Sequence, residues 1–115
     1  MRIDWDKVTI YIRTGYTDMR KQINTLAILV RQECGKDPLD GNLYIFCGSG
    51  RRTLKVLYWE KNGFCLWMKR LNDDKFPWPI KESEVQQITH EELKMLLAGI
   101  DFFCAHQEKK YEIIS

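Results

Sequence analysis

Asn62-Gly63 stands between two strand-forming runs, residues 53–60 and 64–71, and Asn-Gly in that setting is the strongest short-range signal for a β-hairpin. An isolated hairpin is marginal in water, so the remaining sequence has to bury its faces. Residues 7–13 alternate Val8, Ile10 and Ile12 with Thr9 and Tyr11, which predicts a short half-buried strand ended by Gly15. The continuous apolar run Leu43–Cys47 predicts a central strand, and Val85–Ile88 a last short one. Prolines place Phe76-Pro77-Trp78-Pro79 in an extended edge or loop.

Two helices flank these strands. The first is expected to start at Thr17 or Asp18 and to run to about Cys34, with Met19, Ile23, Leu26, Val30 and Cys34 on one face and Gly35 as its stop. The second starts at a capping box, Thr89-His90-Glu91-Glu92, and presents Leu93, Leu96, Leu97 and Ile100, with Gly99 close to its end. Strands gathered in the middle with helices outside the run predict an α+β fold, a small antiparallel sheet of about four to five strands with a central Asn-Gly hairpin, packed with two helices. The length of 115 residues and a hydrophobic content of 44% suit one domain, placed at residues 1–102, followed by a polar tail at 103–115.

The longest uncharged stretch outside loops, residues 22–30, is far short of the roughly 20 residues that cross a bilayer. Secretion and membrane spanning are therefore not expected. Cys34, Cys47, Cys65 and Cys104 lie 13, 18 and 39 positions apart, without the close pair that structural zinc uses. Buried reduced thiols are the expectation, with no metal and no cofactor.

Charge is unevenly distributed. Residues 41–80 hold seven bases against three acids, together with eight of the 14 aromatics, a composition that suits phosphate neutralisation and base stacking and equally an apolar sheet with a solvated edge. Spacing sharpens the first reading. With Asn62-Gly63 as a two-residue turn, Glu60 faces Cys65, Tyr58 faces Trp67 and Val56 faces Lys69. On the other side Trp59 faces Leu66, Leu57 faces Met68, and Lys55 faces Arg70. Like charges opposite each other destabilise a sheet, so Lys55 and Arg70 beside the Arg51-Arg52 turn call for an anion, unless both side chains extend into water. A second constellation, Thr17-Asp18-Met19-Arg20-Lys21, places Arg20 and Lys21 at a helix start, where the macrodipole favours anions; alternatively Asp18 offsets the bases.

Catalytic patterns are missing from the sequence. Its carboxylates are scattered, Gly48-Ser49-Gly50 lacks the Gly-x-Ser-x-Gly elbow, and His90 belongs to a capping box. A binding role is expected, not an enzyme. Trp59 and Trp67 fall on opposite hairpin faces, so at least one belongs to the core, and Trp78 between prolines suits covering the sheet edge.

Several blocks in order carry a resemblance: Thr17-Asp18-Met19-Arg20-Lys21 with its Leu-rich helix, Asp37-Pro38, residues 41–46, residues 54–59, residues 63–71, and Phe76-Pro77-Trp78-Pro79. From about Val8 to Asp101 the chain resembles the TnpB-type accessory proteins encoded by the second open reading frame of bacterial insertion sequences of family sixty-six. It departs from their pattern at Asn72-Asp73-Asp74-Lys75, at Gln22-Ile23-Asn24-Thr25 and in its tail. The resemblance implies a small cytoplasmic protein that assists transposition beside a separate transposase. The expectation is DNA binding at element ends or target through Arg20, Lys21, Arg51, Arg52, Lys55, Lys69 and Arg70. The rival is an adaptor that docks on the transposase through Trp59, Trp67 or Trp78.

Overall fold

The computed structural model describes residues 3–81 and 84–99; the expected tail, together with Ile100, Cys104 and His106, lies outside them. In chain order the elements are β1 (Ile10–Arg13), α1 (Ile23–Gln32), β2 (Leu43–Cys47), β3 (Thr53–Glu60), β4 (Gly63–Arg70), β5 (Val85–Ile88) and α2 (His90–Leu97). The strands form one sheet in the order β4-β3-β2-β1-β5. This is an α+β fold, but the sheet is mixed where a purely antiparallel one was expected. β1 runs parallel to β2, with Ile10 beside Leu43 and Ile12 beside Ile45, and every other pairing is antiparallel. The physical reason is the connection, since a long crossover carrying a helix delivers the next strand parallel to the first.

Both faces of the sheet are covered. On one, α1 buries Leu26, Leu29 and Val30 against Tyr44, Phe46 and Leu57. On the other, Leu93 and Leu96 of α2 join Ile12, Ile45, Val56, Phe76 and Trp78. Double coverage explains why all five residues of β2 are buried and why its sequence is uninterrupted by polar residues. Phe76 and Trp78 lie in the core of this second face, so the proline-flanked segment packs onto the sheet instead of along its edge.

The first helix begins later than its periodicity predicted. Gln22 precedes it without a side-chain cap, because both expected caps are engaged elsewhere. Thr17 is buried, donates its backbone N–H to Cys47 O at 2.8 Å and accepts from Arg13 at 2.9 Å. Asp18 is occupied by Arg20. The carbonyls of Met19 and Lys21, which an earlier helix would use internally, accept from Lys55 Nζ at 2.8 and 2.7 Å. At its other end Gly35, at φ +63°, turns the chain so that Lys36 N–H returns to Val30 O.

The hairpin forms with a different register. Lys61-Asn62 makes the turn, Lys61 sits at φ +54°, and Gly63 is the first residue of β4, opposite Glu60. Each expected pair is thereby displaced by two residues. Lys55 faces Met68 and Arg70 faces Thr53, so the predicted Lys55/Arg70 pair does not exist. A two-residue displacement keeps every side chain on its face, and Trp59 and Trp67 do lie on opposite sides. The gain is cross-strand packing, with Trp59 edge-on to Phe64 at 5.0 Å and Val56 against Trp67.

The second helix starts as its sequence predicts. Thr89 Oγ1 accepts from Glu92 N–H at 3.0 Å, and Glu92 Oε1 accepts from Thr89 N–H at 2.9 Å. Thr89→Ala should lower stability by about 1 kcal/mol, read as a lower urea midpoint at constant m value. An unchanged midpoint would mean that the cap contributes nothing.

Cys34, Cys47 and Cys65 are free thiols. Cys47 is fully buried, and desolvation pushes its thiol up to about 12.

Candidate nucleic-acid interface

The two anion-seeking constellations, some thirty residues apart in sequence, meet at one end of the sheet. Thr17, Asp18 and Met19 on one side and Gly48, Ser49, Gly50 and Arg52 on the other line a cleft of about 460 Å³. Its walls are fixed from below. The Thr17 N–H bond to Cys47 O ties the first segment to the end of β2, and Lys55, only 3% exposed, holds the carbonyls of Met19 and Lys21. Met19 also packs so closely on Gly48 that an added Cβ there would lie 2.6 Å from Met19 Cγ. A side chain at position 48 would push the two walls apart.

The turn opposite is equally constrained. Arg51 adopts φ +56°, its N–H donates to Gly48 O at 2.9 Å, and its carbonyl accepts from Phe76 N–H at 2.6 Å. Arg52 projects outward and donates from Nη1 to Asn72 O at 2.7 Å, a neutral partner that leaves its charge uncompensated at that contact. Arg70, exposed at the end of β4, faces Thr53, which itself lines the cleft. Arg20 is 91% exposed on its side chain but pairs with Asp18 at 2.8 Å, and this hydrogen-bonded pairing lowers the Asp18 carboxyl to about 2. Arg52 is thus the base that lines the cleft, while Arg51 beside it in the turn and Lys21 are half-buried, Arg70 stands exposed opposite Thr53, and Arg20 carries its own counter-charge.

Two of the seven expected phosphate ligands stand apart. Lys55 lies beneath the cleft, with its ammonium directed to backbone carbonyls, and it acts as a strut for the 18–22 segment. Lys69 is half-buried and donates to Leu97 O at 3.0 Å, at the last residue of α2. The helix start that was to supply a macrodipole at Arg20 and Lys21 begins only at Ile23.

The three tryptophans do not form one patch. Trp78 is buried with Nε1 donating to Gly15 O at 2.7 Å, and Trp59 is half-buried on the α1 side. Trp67 is 36% exposed on the opposite side, beside an apolar hollow of about 230 Å³ lined by Ile3, Trp5, Tyr58, Leu93 and Leu97 among others. Sequence reading missed this hollow because residues from both ends of the described chain build it. Trp5, one of its walls, also stacks on His90 with ring centroids 3.9 Å apart.

Among the described residues no group of three His, Cys, Asp or Glu side chains is placed to hold a metal ion, and no helix is long and apolar enough to cross a membrane. No solved structure matches the chain. Two proteins of Sinorhizobium fredii are similar along most of their length. One, y4hO, is 41% identical over 95 residues, 83% of each chain; the other, y4jC, is 30% identical over 93 residues, 81% of this chain and 80% of its own. Both carry the description uncharacterized protein. The family profile described as IS66 Orf2 like protein, TnpB_IS66, matches residues 8–107. With the ordered sequence blocks and this extent of match, the chain belongs to the IS66 Orf2-like family, a membership that supports an accessory role in transposition of an insertion sequence.

Proposed function

We propose that the protein assists transposition by binding DNA without catalysing a reaction, as a cytoplasmic companion of the element's separate transposase. Arg51, Arg52 and Arg70 make the main phosphate contacts, and Arg20 and Lys21 contribute from the facing loop. The observation that carries this reading is the meeting of the 16–19 and 48–53 segments across one cleft, each adjoined by bases in the chain, with the Arg52 side chain at the cleft exposed and hydrogen-bonded to a neutral carbonyl. Phosphate contacts position a protein on DNA without selecting sequence, so any preference for element ends requires base contacts or DNA shape in addition. Fluorescence anisotropy with a labelled element-end duplex and a scrambled duplex tests it. The proposal expects affinity for both that falls steeply with salt, and absence of binding at low salt would refute it.

A second reading is favoured by Trp67 and its apolar hollow. In it the protein docks on the transposase through this surface, and Trp67 serves as the anchor. The expected result is a complex that survives high salt and that Trp67→Ala weakens by about 2 kcal/mol or more. Failure of the two proteins to copurify at any salt would exclude that role.

A further inference from the structure

We propose that the outer edge of β4 is an interface with a second copy of this chain, joined antiparallel across a two-fold axis at Leu66 into one continuous ten-stranded sheet. β4 ends the sheet, and among the described residues no strand pairs with its other side. It lacks most of the devices that keep sheet edges apart. Its eight residues pair with β3 in unbroken register, so it carries no bulge; it contains no proline, and its charges, Lys69 and Arg70, stand together at one end. Beside the edge lie exposed apolar side chains on both faces, Met68 at 58% on one and Trp67 on the other.

The sequence of β4 is complementary to itself only in the antiparallel sense. A two-fold axis perpendicular to the sheet preserves faces, so residues that meet must have the same parity in this strand. With Leu66 on the axis it meets its own copy, Met68 meets the partner's Phe64, and Trp67 meets the partner's Cys65. These are apolar or sulfur-aromatic pairs. Lys69 comes opposite the partner's Gly63, which has no side chain and has open space where one would be. Across that gap the next residue in the row is Glu60, the β3 residue paired with Gly63. The corner that each basic end approaches holds Glu60 followed by Lys61, and the antiparallel sense keeps Lys69 and Arg70 of one copy away from the same residues of the other. Apolar residues meeting apolar residues, with the two basic ends held apart, is a match that this strand makes with its own copy. In such a dimer the two Arg51-Arg52 turns lie about ten strand rises apart along the strands and about three strand spacings across them, roughly 36 Å in all, close to the roughly 34–36 Å of one turn of B-DNA. That consequence rests on the DNA-binding reading, whereas the dimer does not.

Sedimentation equilibrium of the full chain without DNA tests the proposal, with amide hydrogen exchange as a second readout. The expected particle has twice the mass of the 13.7 kDa chain and dissociates on dilution, with faster exchange at residues 63–70 as it does so. Met68→Lys places a new charge where the copies meet and, at an exposed site, leaves the far-UV circular dichroism unchanged; it should weaken the dimer about tenfold or more. If that variant loses its fold, the dilution dependence of exchange in the unaltered protein decides. A monomer at every concentration would overturn the proposal, as would a dimer that Met68→Lys leaves intact or whose dilution leaves exchange at 63–70 unaltered. Because DNA is absent, none of these outcomes bears on the phosphate-contact reading.

Discussion

Replacing Lys55 with methionine should lower the stability of the fold by roughly 2–4 kcal/mol, because two carbonyl acceptors lose their donor while the side-chain volume is kept. Lys55 sits in the middle of β3, on the face covered by α1, and its ammonium donates to Met19 O and Lys21 O, 36 and 34 residues away. Each of these part-buried carbonyls left without a partner costs up to about 1–3 kcal/mol, partly offset because the ammonium no longer has to be desolvated. The loss should be local as well as global. The 18–22 segment would lose its anchor to the sheet, and its amides should exchange faster than those of β2. Since that segment forms one wall of the cleft, DNA affinity should fall even though methionine removes no exposed charge. Urea unfolding followed by exchange of residues 18–22 checks both parts. Unchanged stability would mean that water replaces the ammonium and that Lys55 does not hold the wall in place.

Reversing charge at Arg51 and Arg52 together, Arg51→Glu with Arg52→Glu, should weaken duplex binding by about a hundredfold or more at 100 mM salt and flatten the salt dependence. Removing two phosphate-neutralising cations should reduce the slope of log affinity against log salt by about 1.8. The fold should survive. Both residues belong to a turn whose main-chain bonds, from Arg51 to Gly48 and Phe76 and from Leu71 to Arg52 O, do not depend on side-chain identity. Glutamate is unbranched at Cβ and replaces arginine at φ +56° without the added clash of a β-branched residue. The side-chain bond that disappears is Arg52 Nη1 to Asn72 O, worth about 1 kcal/mol. Equal affinity and equal slope in the variant would place the phosphate contacts elsewhere on the molecule.

Much of this architecture was legible wherever the deciding interactions are local. The Leu43–Cys47 run reads as a doubly covered strand because burial on both faces removes the polar alternation. Thr89 and Glu92 read as a cap because both partners lie within one turn. The errors share a different origin, since each was decided by a partner far along the chain. Lys55 takes the carbonyls that would have begun the helix at Thr17 or Asp18, and that single contact also removes Lys55 from the exposed basic set. A signal was present. Lys55 stands inside the strand-forming run Leu54-Lys55-Val56-Leu57-Tyr58-Trp59, where every other residue is apolar or aromatic, and a lysine buried in such a run needs acceptors of its own. The hairpin register is displaced by two, which puts Lys61-Asn62 in the turn and pairs Trp59 with Phe64, a cross-strand contact that the preference of Asn-Gly for the turn positions does not reveal. The parallel pairing of β1 with β2 follows from a crossover that alternation in either strand does not reveal. Of the site, the basic turn and the Thr17-Lys21 segment were each visible, but their meeting across one cleft was not, because it depends on Cys47 O, Gly48 and Lys55 together.

In the proposed complex both walls of this cleft face DNA. Amide chemical-shift mapping during titration with a short element-end duplex decides the matter. Perturbations are expected in residues 16–21 and 48–53 and at Arg70, with residues around the Trp67 hollow unaffected. Perturbations confined to Trp5, Trp67 and Leu93, with both cleft segments silent, would contradict it.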